Sequence, residues 1–231
     1  MALSDDNVKN IIKTLSEKSY KQNGQYTLFG NTYIYVRDPL PENVDIEEVV
    51  QFLYSKMPQH LFSEVDAVYV GNFEELQDRQ IQAMYRDGAI YCTNLQSNEE
   101  DMIDDLVHEI AHSLEQPYGM ELYSDGMMEL EFIGKRRRLK DLLEANGFEV
   151  EHINFSNPEY DEQFDMYLYQ EIGYPILESI TFGLFTNPYA ATSLREYYAS
   201  GFEQFILSDR ELLKTISPVL FIKIQEIVLD G

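Results

Sequence analysis

Five consecutive residues, His108-Glu109-Ile110-Ala111-His112, carry the strongest chemical signal in the chain. Residues four apart on a helix stand one turn above another on the same face, so both imidazoles can reach one zinc ion at about 2.0–2.1 Å. Glu109 is rotated by about 100° from His108 and lies beside that metal position rather than on it. From there a carboxylate can take a proton from a metal-activated water and pass it to a leaving amine, while the metal polarises the carbonyl under attack. The chemistry expected of this pattern is hydrolysis of a peptide bond with bound zinc. Only 4 His occur in the chain, and two of them bracket this Glu. The bland alternative is a pair of solvated or structurally hydrogen-bonded imidazoles.

A zinc peptidase site takes a third protein ligand and leaves the fourth position to water. The extended motif that supplies a third His nearby needs a Gly and a His that Ser113–Tyr118 (SLEQPY) lacks. His152, Glu129, Glu131 and Glu196 remain candidates, and periodicity does not choose among them.

The element that must carry the pair is a helix. Ser97-Asn98-Glu99-Glu100 has the form of a capping box, and Ile103, Leu106, Val107, Ile110 and Leu114 fall on one face, with a stop expected at Pro117. Upstream, Val8, Ile11, Ile12 and Leu15 predict a short amphipathic helix within residues 1–22. Tyr26–Arg37 reads as a hairpin about Gly30-Asn31, ended by Pro39 and Pro41. A helix is expected over Asp45–Met57, a strand over Asp66–Val70, and a second hairpin, Ile81–Tyr85 with Ala89–Thr93, about Asp87-Gly88.

Downstream the pattern is less regular. Met120, Met127, Met128 and Phe132 read as core or lid packing, and the basic run 135–140 as a solvated helix face paired with carboxylates. A helix ends at Asn146-Gly147, an acidic, Tyr-rich stretch covers Pro158–Tyr174, and Ser193–Leu229 reads as two helices broken near Ser208-Asp209. Ser193-Leu194-Arg195-Glu196 has capping-box form as well. Cys92 in a strand and His152 in a loop take structural readings.

Composition bounds the partners. Lys+Arg number 17 against 41 Asp+Glu, a net charge of -24, which repels phosphate backbones and anionic lipid surfaces. Neither a nucleic-acid nor a membrane partner is expected. Among 231 residues, 44% hydrophobic and 13% aromatic supply ample core, so the charge does not imply disorder; one domain over 1–231 is expected. One Cys permits no internal disulfide, and without a leader or an apolar span the chain reads as cytoplasmic, or as released by a route that uses no cleaved signal.

The stretch Tyr189–Phe202 resembles the third-ligand helix of the anthrax lethal factor-like zinc endopeptidases, the group that includes the secreted Pro-Pro endopeptidases. There a Glu opens an aromatic-aromatic-Ala-x-x-Phe run and a Tyr lies seven residues before it. The resemblance implies Glu196 as third zinc ligand and Tyr189 as hydrogen-bond donor to the oxyanion of the tetrahedral intermediate. Pro218, Phe221, Ile222 and Ile224 resemble the family's closing helix, so the similarity covers residues 97–116 and 187–229. It implies an α+β fold of the zincin type. A small twisted N-terminal sheet with the HExxH helix would occupy 1–117, a mainly helical insertion 118–187, and C-terminal helices with the third ligand 188–231.

Zincin folds place an edge strand before the zinc helix, which assigns extended substrate to Ala89, Ile90 and Tyr91. One departure from the family is Ser200, standing where an acid normally supports an imidazole N–H; a hydroxyl accepts that bond more weakly. The chain is also similar to peptidase-like proteins of tailed phages, which would make it virion-associated. The expected activity is zinc-dependent endopeptidase cleavage of a peptide or protein substrate. The alternatives are a peptidase-fold binding or structural protein, such as a virion component, with weak or no turnover, and a toxin-like effector protease.

Overall fold

The computed structural model describes residues 25–230; the helix expected within residues 1–22 lies outside them. β1 (Gln25–Leu28) and β2 (Thr32–Val36) pair antiparallel. Their turn places Phe29 and Gly30 at φ 51° and 81°, with Asn31 N donating to Leu28 O at 3.2 Å. The left-handed pair is thus Phe29-Gly30, one residue before the expected dipeptide. Alternation then buries Tyr26, Leu28 and Ile34 on one face.

α1 (Ile46–Lys56) starts at Asp45, whose carboxylate accepts from Glu47 N at 2.8 Å, and buries Val49, Val50 and Leu53. β3 (Ala67–Gly71) runs parallel to β2 and is followed by α2 (Glu74–Arg79). β4 (Ala83–Arg86) and β5 (Ala89–Thr93) form the second hairpin, with Asp87 and Gly88 at φ 50° and 82° as the dipeptide requires. Across β2, β3 and β5 the rings of Tyr35, Tyr69 and Tyr91 stack in a row at 5.3 and 5.5 Å.

The strand order is β1-β2-β3-β5-β4. β5 pairs with β3 on one side and β4 on the other, so Ala89, Ile90 and Tyr91 do not lie on an edge. That corrects the expected substrate strand. The crossover through α2 delivers β4 to the outside, and the tight hairpin returns β5 inward beside β3. Thr93 N donates to Gln82 O at 2.8 Å, a phase that turns the backbone groups of Ala83 and Tyr85 away from β5 toward the open edge.

The chain divides into two compact units, 1–113 and 114–231, and the division falls inside α3 (Glu99–Tyr123). Its cap is Asn98, which accepts from Asp101 N at 2.8 Å, rather than Ser97, whose carbonyl accepts from Asn43. Nor does α3 stop at Pro117. An interior proline costs about 3 kcal/mol through a lost N–H and a ring clash. Against that, the following turn and a half buries Leu122, places the Tyr123 hydroxyl on Glu115 at 2.9 Å, and offers the Glu121 carbonyl to Lys223.

The second unit is helical. α4 (Met127–Ala145) ends where Gly147, at φ 86°, lets Phe148 N reach back to Leu143 O at 3.0 Å. α5 (Glu162–Met166) winds into a wider turn over Tyr167–Ile172, followed by α6 (Tyr174–Thr181). The tail forms α7 (Leu194–Leu207), α8 (Arg210–Ile216) and α9 (Pro218–Leu229). It is three helices, not two, because Pro218 forces a second break at Ser217. Met128 and Phe132 are core, whereas Met120 and Met127 are exposed. The basic run divides: Arg137 and Arg138 are exposed and Lys140 pairs with Glu144 at 3.5 Å as expected, whereas Lys135 and Arg136 are buried rather than solvated. Both stand in the apolar stripe of α4 with Met128, Phe132, Leu139 and Leu143. No helix among the described residues is long and apolar enough to cross a membrane.

Candidate metal centre

The N-terminal part of α3 is fixed by its apolar face, where Met102, Ile103, Leu106, Val107, Ile110 and Ala111 are buried. His108 and His112 follow one another along a different face, with ring centroids 5.0 Å apart. Glu109 is buried, and its Oε2 accepts from Tyr85 N at 2.6 Å, a backbone donor on the open edge of β4. That bond orients the carboxylate and is charge-assisted. One turn earlier, Asp105 accepts from the Gln96 amide at 2.9 Å; burial pushes its carboxyl up to about 6, against the opposing effect of Gln96 and of His108. Burial also pushes the Cys92 thiol far up, so Cys92 stays a neutral core residue.

Tyr189 and Glu196 belong to one continuous piece of the second unit. Tyr189 opens a single 3-10 turn (Tyr189–Ala191), and Thr192 N donates back to its carbonyl at 3.0 Å. Ser193 then caps α7, its Oγ accepting from Glu196 N at 3.1 Å. Arg136, fully buried, donates to Ala191 O at 2.8 Å, to Thr192 O at 2.5 Å and to Asn157 O, with its guanidinium 3.8 Å from the Phe164 ring centroid. The turn carrying Tyr189 is therefore held by a planar fork in addition to its own local hydrogen bonds. Burial first, and then the carboxylates of Glu196 and Asp165, push the Tyr189 phenol up, so the hydroxyl keeps its proton as a donor. Arg195 Nε donates to both oxygens of Glu115 at 3.1 and 2.9 Å, tying the first turn of α7 to the C-terminal part of α3.

His108, His112 and Glu196 each offer one ligand atom, and these three atoms lie within 4.8 Å of one another. Ligands bonded to zinc at about 2.0–2.2 Å in a tetrahedron stand roughly 3.4 Å apart. Two imidazoles and one carboxylate suit that ion by donor type as well. The other third-ligand candidates are placed differently. Glu131 accepts from Tyr197 Oη at 2.8 Å, Val219 N at 2.9 Å and Leu220 N at 3.1 Å, capping α9. Glu129 is exposed on α4, and His152 is exposed on a turn with its ring edge-on to Tyr167.

Ser200 does not fill the supporting role carried over to it. Its Oγ is buried and makes no hydrogen bond among the described residues. At neighbouring Gly201 an added Cβ would come within 2.3 Å of Leu220 Cδ2, so α7 and α9 approach too closely here for a longer side chain at that position. Reasoning from sequence also missed Tyr85, Glu115, Arg195 and Arg136. Only Arg136 carried a legible signal, its place in the Phe132–Leu143 stripe; the others depend on tertiary placement.

Comparison with protein-family models, curated proteins and solved structures finds no match to this chain.

Proposed function

We propose that this protein is a zinc-dependent endopeptidase of the zincin type, with His108, His112 and Glu196 as ligands. The convergence of those three side chains, drawn from two separate stretches of sequence, is the observation that carries the reading. When bound, zinc supplies Lewis-acid polarisation of the scissile carbonyl and lowers the pKa of water. The chain supplies the rest. Glu109, aimed by the Tyr85 N–H, accepts a proton from the attacking water and delivers it to the leaving amine. Tyr189 donates its phenolic proton in a hydrogen bond to the oxyanion. An extended peptide is held by the open edge of β4, at the backbone of Ala83 and the carbonyl of Tyr85, whose N–H stays with Glu109, in place of the β5 residues first assigned to it.

Ser200 favours a second reading, in which the same fold binds zinc with weak turnover, as in a virion component. Loss of outer support for a ligand costs about 10–100-fold in metal affinity or activity. Metal analysis together with mass-spectrometric profiling of cleaved peptides separates the two. The expected result is one zinc per chain, lost in His108→Ala, with peptide cleavage abolished in Glu109→Gln while zinc is retained. Zinc without cleavage supports the second reading, and a folded protein that takes up no zinc rejects both.

A further inference from the structure

The acidic, Tyr-rich stretch 158–174 is brought beside Tyr189 and Glu196. Two anchors hold it there. Arg136 joins Asn157 O to the carbonyls of Ala191 and Thr192, and Pro158 O accepts from Leu194 N at 2.7 Å. Phe164, stacked under the same guanidinium, extends the anchor into α5. Between the anchors and α6 the Tyr160 hydroxyl donates to Asp165 Oδ2 at 3.1 Å, and the rings of Tyr169 and Tyr174 meet edge-on at 5.5 Å. Asp165 and Tyr174 both lie in the electrostatic neighbourhood of Glu196.

Asp165 joins this cluster through Tyr160. It is half-buried, and no Lys or Arg among the described residues forms an ion pair with it. Its carboxyl is raised, first by that burial, then opposed by Tyr160 and reinforced by Glu196. Tyr160 and Tyr169 meanwhile leave 56% and 56% of their surface to solvent. A carboxylate that has lost part of its hydration, without a cation and beside exposed aromatic rings, has the composition of a site for an organic cation. A carboxylate ligand would be repelled there, and an aliphatic one would leave the charge uncompensated.

We propose that Asp165, with Tyr160, Tyr169 and Tyr174, forms a subsite for a Lys or Arg side chain of the peptide substrate. This rests on the endopeptidase reading. A net charge of -24 would speed the encounter with basic peptides, and their preference would weaken as salt rises.

The test uses the zinc-loaded full chain and N-acetylated, C-amidated Ala/Gly decapeptides carrying one Lys, Leu or Glu at each successive position. The expected result is that Lys exceeds Leu in kcat/KM by roughly 10-fold at one position. Asp165→Asn should bring that ratio close to one, mainly through KM, and Asp165→Lys should favour Glu over Lys. Equal cleavage of Lys and Leu peptides, or a Lys preference untouched by Asp165→Asn, overturns the subsite while leaving the endopeptidase reading intact. Absence of any cleavage counts against the endopeptidase reading instead. Fluorescence anisotropy with the same peptides, end-labelled, then decides the subsite: tighter binding of Lys than Leu peptides, abolished in Asp165→Asn, sustains it, and indifference rejects it.

Discussion

Glu196 has two duties that can be pulled apart by substitution. Its backbone N–H is held by Ser193, while its carboxylate lies with the two imidazoles. Ser193→Ala should cost about 0.5–2 kcal/mol in urea unfolding and leave zinc affinity nearly unchanged. Glu196→Ala should instead lose zinc, read by competition with a chelating dye. Asp105 provides a separate readout, since its folded-state carboxyl titrates near 6 against an ordinary 3.8. The folded protein holds that proton between pH 4 and 6 where the unfolded chain has released it. The associated stability is therefore full below about pH 4 and is lost as pH rises through 6. Metal-free Asp105→Asn, which still offers Gln96 an acceptor oxygen, should be more stable than the parent at pH 7–8 by about 1–3 kcal/mol, with the gap closing below pH 4 in thermal melts. The HExxH pair, its helix and the Ser193 cap were all legible because each is a local spacing rule. Glu196 was not separable from Glu131 by spacing, since only the fold shows Glu131 spent on the first turn of α9.

Among the elements, the turn carrying Tyr189 depends most on a partner remote in sequence. Arg136→Met preserves bulk beside Phe132 and Phe164 but leaves the carbonyls of Asn157, Ala191 and Thr192 without this donor. A stability loss of about 3 kcal/mol or more is expected in urea unfolding. Under conditions where the variant remains folded, kcat should fall more than KM rises, because the role proposed for Tyr189 is at the transition state and not in ground-state binding. The second hairpin followed from its turn dipeptide, the first with its turn one residue earlier than Gly30-Asn31, and α1 from its apolar spacing. The errors arose where tertiary structure outweighed a local rule. Pro117 predicted a stop, yet contacts beyond it sustain α3, and charge predicted exposure for Lys135 and Arg136, whose cations are instead satisfied by carbonyls. The same competition put β5 inside the sheet, because hairpin signals specify pairing within the hairpin and not which strand faces outward.

For the molecule as a whole, a bound ion would couple folding to metal concentration. Stability rises by RT ln(1 + [L]/Kd), so about 2.7 kcal/mol is expected at a hundredfold excess of zinc over Kd. Chelation should therefore lower Tm in the parent, read by differential scanning calorimetry, and leave Glu196→Ala nearly unmoved. The sheet offers its own way of watching such transitions. The chain has no Trp and 17 Tyr, and the stacked rings of Tyr35, Tyr69 and Tyr91 have planes only 15° and 27° apart. Transition dipoles at that spacing couple with one another, so loss of the row changes the near-ultraviolet circular dichroism to which it contributes. Comparing the parent with a Tyr69→Leu variant, which interrupts the row, would isolate the part of that signal that reports on the sheet, without introducing a single foreign fluorophore.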